Sequence, residues 1–234
     1  MTSIRPASAA SRFPPGTWAH VAHAFGSVFG ACLGLFFGFF VLAPWLGLSD
    51  GPFDGSAAAF IGLLLSFAVL FVSVVWGWIF RVGRLSRREL GLVLSANPLR
   101  DVALGLGGFV VVVAIVFAAL RVTGSTWAEI FDALAGFTLR QRLLFVAIAF
   151  TPPVIEEIVF RGELQPALAA KIGLPAAIVV GALVFALYHL QFRPVSIVVK
   201  TLQGIVYGTL RGRDRSLLAS WTAHALVWIV LGAM

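Results

Sequence analysis

The sequence predicts an all-α protein, a polytopic bundle of about seven transmembrane helices. Hydrophobic residues make up 60% of its 234 residues and charged residues only 12%, about half the charged share usual in a soluble domain. Five stretches contain no Asp, Glu, Lys or Arg: residues 13–49, 55–80, 102–120, 172–192 and 216–234. Each approaches or exceeds the roughly 20 residues that a helix needs to cross a bilayer. Composition therefore excludes an ordinary soluble domain.

The charge-free stretches place the helices along the chain. We predict helices at 20–46, 56–80, 102–120, 141–165, 174–191, 195–210 and 217–233. Residues 124–140 carry apolar side chains on one helical face and acidic ones off it, which predicts an amphipathic helix in the membrane interface. The number of membrane helices becomes eight if residues 124–140 or the first long charge-free stretch are assigned to helices differently.

The chain is predicted to form one membrane domain, 19–234, preceded by a cytoplasmic tail, 1–18. The distribution of Lys and Arg sets the orientation, because cytoplasmic loops carry an excess of basic residues. With the N-terminus inside, twelve basic residues fall on the cytoplasmic side and four on the other. The net charge of +7 therefore indicates membrane topology, and no nucleic-acid partner is expected. Arg outnumbers Lys by fifteen to two, and we expect a bacterial inner membrane.

Four ionisable residues occupy the second half of the predicted fourth helix. They are Glu156, Glu157, Arg161 and Glu163. A charged side chain at the centre of a lipid-facing helix costs about 2.5–3.5 kcal/mol. This helix face is therefore expected to line an enclosed or wet cavity, where intramembrane ionisable residues are usually functional. The alternative is a buried Glu–Arg pair that only holds helices together.

The spacing of these residues separates the two adjacent carboxylates. Glu157 and Arg161 are four residues apart, so they share a helix face and can pair. Glu156 is rotated by about 100° from Glu157 and is free for chemistry. Pro152 and Pro153 precede the pair and are expected to kink the helix, freeing carbonyls around residues 148 and 149.

Two later helices each carry one histidine. Phe185 and His189 are four residues apart in the fifth helix, as are His224 and Trp228 in the seventh. Glu156, His189 and His224 could bind Zn²⁺ and leave a position open for water. Alternatively, a glutamate and a histidine activate water directly while the second histidine stabilises the oxyanion. Both arrangements indicate hydrolysis.

Three further ionisable residues have weaker signals. His20 and His23 lie near the start of the first helix, where an interfacial role is expected. Lys200, in the middle of the sixth helix, either extends its ammonium to the interface or pairs with a carboxylate of the fourth helix.

Together, three motifs resemble the CPBP family, the CAAX-protease and bacteriocin-processing intramembrane proteases. EEIVFRG at 156–162 is similar to the family's EExxxR, FALYH at 185–189 to its FxxxH, and WTAHALVW around His224 to its last motif. The similarity covers roughly 141–234. One residue departs from the pattern: Trp228 stands where the family usually has Asn or Asp, and its indole offers a donor but no acceptor.

The resemblance implies an intramembrane endopeptidase whose site opens to the cytoplasm. Carried over by position, Glu156 activates the attacking water, His189 assists it, and His224 helps to hold the oxyanion. Glu157 and Arg161 order the site, and Phe185 and Trp228 line it or contact the oxyanion. Family members have been described both as metalloproteases and as glutamate-dependent proteases, so a zinc ion on Glu156, His189 and His224 remains open.

Two other functional classes compete with the endopeptidase. Trp228 favours a non-catalytic membrane scaffold or bacteriocin-immunity protein that retains the fold. A transporter is disfavoured, because the buried polar residues are concentrated at one place instead of following a path. The expected partners are the bilayer and a peptide or protein substrate that enters from the membrane or from the cytoplasmic side.

Overall fold

A computed structural model describes residues 11–14, 16–37, 68–124, 149–190, 192–214 and 216–233, with isolated positions 41, 139 and 146. Over these residues the secondary structure is helical and no strand occurs, which confirms the all-α class. The helices are α1 (Trp18–Phe37), α2 (Phe71–Val82), α3 (Pro98–Thr123), α4 (Thr151–Glu157, Ile158–Leu164 and Gln165–Ile172 in succession), α5 (Leu174–Tyr188), α6 (Pro194–Asp214) and α7 (Leu218–Ala233).

Four of the predicted helices agree with the structure to within a few residues. They are α3, α5, α6 and α7. Parts of the first, second and fourth predicted helices lie outside the described residues, as does nearly all of the predicted amphipathic helix 124–140. The number of membrane spans therefore stays a prediction.

α3 extends beyond its charge-free stretch because its ends carry favourable capping groups. The Asn97 side chain accepts a hydrogen bond from the backbone N–H of Arg100 at 3.1 Å, and Pro98 occupies the first turn. Gly124, at φ 71°, ends the helix in the left-handed conformation. With α1, α3 is one of two described helices long and apolar enough to cross a membrane.

The first described turn of α4 contains the two prolines. α4 begins at Thr151, so Pro152 and Pro153 occupy positions where no intrahelical N–H is required. Over the described residues they start a helix instead of kinking the middle of one, and the predicted span 141–165 runs on to Ile172. The Phe150 carbonyl accepts a hydrogen bond from the Trp221 indole at 3.1 Å, which ties this end of α4 to α7.

The middle segment of α4, Ile158–Leu164, is π-helical. Short π-helical segments within α-helices are frequent at functional sites. Every residue of this segment is buried, including Arg161 and Glu163. α4 is therefore an interior helix of the bundle.

α3 packs closely against α7 through a glycine. A Cβ on Gly105 would lie 2.6 Å from the Thr222 Cβ and 2.7 Å from the Ala219 carbonyl oxygen. Small residues permit such close approach between membrane helices, where packing drives association. This contact holds the α7 turn that precedes His224.

We expect Gly105→Ala to destabilise the protein, because the added methyl group has no space at the α3–α7 contact. Overpacking of this kind costs about 1–3 kcal/mol. Gly107→Ala, in the same helix, is the matched control: its Cβ would meet nothing within 4 Å. Thermal unfolding of the detergent-solubilised protein measures both changes. Equal shifts of the unfolding midpoint would show that the contact is not tight.

Candidate active site

The adjacent glutamates of α4 are both buried, but they have different partners. Glu157 is fully buried and its Oε1 lies 3.3 Å from Nη1 of Arg161. The ion pair predicted from the four-residue spacing is therefore present. Glu156, on a neighbouring face, is 5% exposed and forms no contact of this kind with Arg161 among the described residues.

His224 of α7 lies between the two carboxylates. Its Nδ1 is hydrogen-bonded to Oε1 of Glu157 at 3.0 Å, and its Nε2 lies 3.5 Å from Oε2 of Glu156. The second distance is longer than a normal hydrogen bond. Within the described part of the chain, Oε2 of Glu156 accepts no hydrogen bond. Oε1 of Glu157 is thus held by two partners, while Oε2 of each glutamate accepts no hydrogen bond among the described residues.

Aromatic rings surround the Arg161 guanidinium. It lies 4.3 Å from the centroid of the Phe185 ring and 5.3 Å from that of Tyr207. Its Nη2 also donates to the Gly204 carbonyl at 3.3 Å. A Cβ on Gly204 would lie 2.8 Å from that of Ala182, so glycine allows α6 to approach α5 closely enough for these contacts.

Tyr207 is a site residue that the sequence analysis missed. Its ring stacks on His224 with centroids 4.6 Å apart and an interplanar angle of 16°. The chain contains only two tyrosines, and both Tyr188 and Tyr207 are buried. A rare, amphipathic residue in a membrane helix is the signal that could have identified it.

His189 caps the C-terminal end of α5 and lies on the other side of Phe185. Its Nδ1 donates to the Phe185 carbonyl at 2.8 Å, which leaves Nε2 as the acceptor of a neutral imidazole. The Phe185 ring contacts both histidines, with centroid distances of 4.6 Å to His189 and 5.8 Å to His224. No hydrogen bond joins His189 to either glutamate among the described contacts.

Two other sequence-predicted residues lie near this group. Lys200 of α6 is half-buried and lies within electrostatic range of Glu156, and its pairing with a carboxylate of α4 stays a prediction. Trp228 lies one turn after His224 on α7 and is half-buried.

The metal set considered from the sequence is not assembled. Among the described residues, no three side chains of His, Cys, Asp or Glu are arranged to hold a metal ion, and these residues include Glu156, His189 and His224. Both ring nitrogens of His224 face carboxylates, and Glu157 is occupied by Arg161. The site as arranged does not fit a metal held by these three residues.

The interfacial role expected for His20 and His23 is wrong. Their exposed fractions are 6% and 3%, and His23 contacts Glu163 of α4. The expectation failed because an apolar helix with no charge of its own gives no sign that a distant carboxylate packs against it.

One comparison with known proteins gave a match, and it covers the region that contains this site. Residues 138–230 match the family model described as type II CAAX prenyl endopeptidase Rce1-like. Comparisons with curated proteins and with solved structures gave no match. The matched range contains the whole Glu156–Arg161–His189–His224 group and α4 to α7 almost entirely, and the apolar helices agree with an integral membrane protein. Residues 138–230 are therefore similar to the Rce1-like CAAX endopeptidases, which confirms the predicted resemblance of this part of the chain to the CPBP family.

Proposed function

We propose that this protein is an intramembrane endopeptidase in which Glu156 activates the attacking water. The observation that carries the proposal is the difference between the two glutamates. Oε1 of Glu157 is held by both Arg161 and His224, whereas the ion-pair contact described for Glu156 is a single, longer one, 3.5 Å from Nε2 of His224. A general base needs an unoccupied oxygen within reach of the proton that it removes.

In the proposed reaction, Glu156 takes one proton from a water molecule as the water oxygen attacks the scissile carbonyl carbon. The carbonyl oxygen then carries the negative charge of a tetrahedral intermediate. As the intermediate collapses and the C–N bond breaks, Glu156 gives the proton to the leaving amine. The products are a carboxylic acid and an amine, and Glu156 returns to its carboxylate form.

The two histidines act on opposite sides of this reaction. His189 donates through Nδ1 to the Phe185 carbonyl, so its Nε2 can accept the second hydrogen of the water and orient it. Nδ1 of His224 is bonded to Glu157 and its Nε2 lies near Glu156; in the imidazolium form, Nε2–H would be a donor that an oxyanion can accept. Glu157 and Arg161 fix the position of His224.

Apolar side chains shape the reaction space. Phe185 lies against both histidines, and Trp228 follows His224 by one turn. We assign both residues to the lining of the substrate site, with the Trp228 indole N–H as an additional donor to the oxyanion. Exclusion of water strengthens each of these electrostatic interactions.

The proposed substrate is a peptide or protein that enters from the bilayer or from the cytoplasmic side. The family description, CAAX prenyl endopeptidase, makes a prenylated C-terminal peptide the first substrate to test. The excess of basic residues on one side of the predicted topology supports a cytoplasmic N-terminus. We place the protein in a bacterial inner membrane.

Glu156→Gln tests the proposal directly. We expect kcat for a prenylated test peptide to fall by about 10²–10⁴-fold, because glutamine cannot accept the proton. Glu89→Gln is the matched control: the same substitution at an exposed position whose described hydrogen bonds all lie within its own turn. Normal cleavage by Glu156→Gln would overturn the mechanism. A wild-type protein that cleaves no peptide would favour the non-catalytic scaffold or immunity protein.

Metal analysis of the detergent-purified protein tests the zinc alternative. Because Glu156, His189 and His224 do not form a three-ligand group, we expect well under one zinc ion per chain, unchanged in His189→Ala and His224→Ala. About one zinc ion per chain in the wild type, lost in both variants, would make the histidines ligands. It would also overturn the assignment of Glu156 as a base that acts without a metal ion.

A further inference from the structure

We propose that His23 of α1 is a positioning residue for the active site, acting through Glu163 on the segment of α4 that carries Arg161. The proposal rests on the proposed function, since the site that it positions is the peptidase site. α1 lies outside the matched residues 138–230, so the family match assigns no role to this helix.

Both oxygens of Glu163 are bound by side chains of α1. Nδ1 of His23 lies 2.5 Å from Oε1, and the Ser27 hydroxyl donates to Oε2 at 2.5 Å. His23 and Ser27 are one turn apart, so they meet the carboxylate from a single helix face. All three side chains are at most 3% exposed. We call these three residues the Glu163 cluster.

His23 itself is held in place by neighbouring elements. Its ring stacks on Trp78 of α2, with centroids 4.9 Å apart and an interplanar angle of 5°. The Trp78 indole donates to the His23 carbonyl at 3.1 Å, and Phe13 packs on the ring at 4.6 Å. These contacts hold the His23 ring in place independently of its bond to Glu163.

The Glu163 cluster and the active site share one short segment of chain. Arg161 and Glu163 both belong to the π-helical segment Ile158–Leu164, and residues two apart lie on roughly opposite faces of a helix. α1 holds the segment through Glu163, while α6 holds it through the bond from Arg161 to the Gly204 carbonyl. A shift of the segment toward or away from α1 therefore moves Arg161.

A movement of Arg161 is transmitted to His224 through two contacts. Arg161 pairs with Glu157, and Glu157 is hydrogen-bonded to His224. Displacements of about 1 Å at a catalytic site reduce rates by up to about 10²-fold. A geometric role explains why both oxygens of this carboxylate are bound from one helix.

Two substitutions of His23 separate positioning from packing in the full-length protein. His23→Leu removes the donor, and we expect kcat to fall about tenfold with KM nearly unchanged. His23→Gln keeps an N–H donor, and we expect kcat to stay within about threefold of the wild type. The matched control is His20→Leu on the same helix, because His20 is also buried and neither of its ring nitrogens has a hydrogen-bond partner in the described structure. We expect His20→Leu to leave kcat unchanged per folded molecule.

Hydrogen–deuterium exchange provides a second test that does not need activity. We expect faster amide exchange over residues 158–164 in His23→Leu and in the milder Ser27→Ala, and unchanged exchange in His20→Leu. Unchanged exchange in both cluster variants, or equal losses of kcat in His23→Leu and His20→Leu, would overturn the positioning role. If the wild type cleaves no peptide while exchange changes as expected, the peptidase proposal fails and the coupling of α1 to α4 stands.

Discussion

The pairing of the buried Arg161 guanidinium is the interaction on which the rest of the site depends. Arg161 is 2% exposed, and a charge taken out of water costs several kcal/mol unless it is well paired. Its partners come from three helices: Glu157 on α4, the Phe185 ring on α5, and Tyr207 with the Gly204 carbonyl on α6. Glu157 then binds His224 of α7. The contacts that pair this one charge therefore fix α4, α5, α6 and α7 relative to each other.

The same pairing makes two neighbouring glutamates chemically different. Glu157 is occupied by a cation and an imidazole, so it serves as a fixed counter-charge. Glu156 is rotated away from Arg161, and the contact described for it is the longer one with Nε2 of His224. Two carboxylates in different environments can perform different roles in one reaction. Because Arg161 pairs with Glu157, Glu156 is the glutamate assigned as the general base.

The parts of this site that sequence could predict are the local ones. The four-residue spacing of Glu157 and Arg161 predicted their contact, because helix geometry alone brings such residues together. Charge-free stretches predicted α3, α5 and α7, since a helix in lipid cannot carry unpaired charges. The contact of His23 with Glu163 joins residues 140 positions apart, and no local pattern encodes such a contact. The stacking of Tyr207 on His224 depends likewise on how α6 and α7 pack.

The division between lipid-facing and site-lining helices explains why composition identifies some spans and misses others. α1 and α3 have the length and the apolar composition of a span, and large apolar side chains such as Phe29 and Val110 are exposed on them. α4 and α6 are less apolar, because α4 carries Glu156 and Arg161 and α6 carries Lys200 and Gln203. These polar groups lie on faces turned toward neighbouring helices, which supply their partners, and they do not have to contact lipid. Hydropathy is therefore least informative for α4 and α6, and paired charges within an apolar chain are the better guide to them.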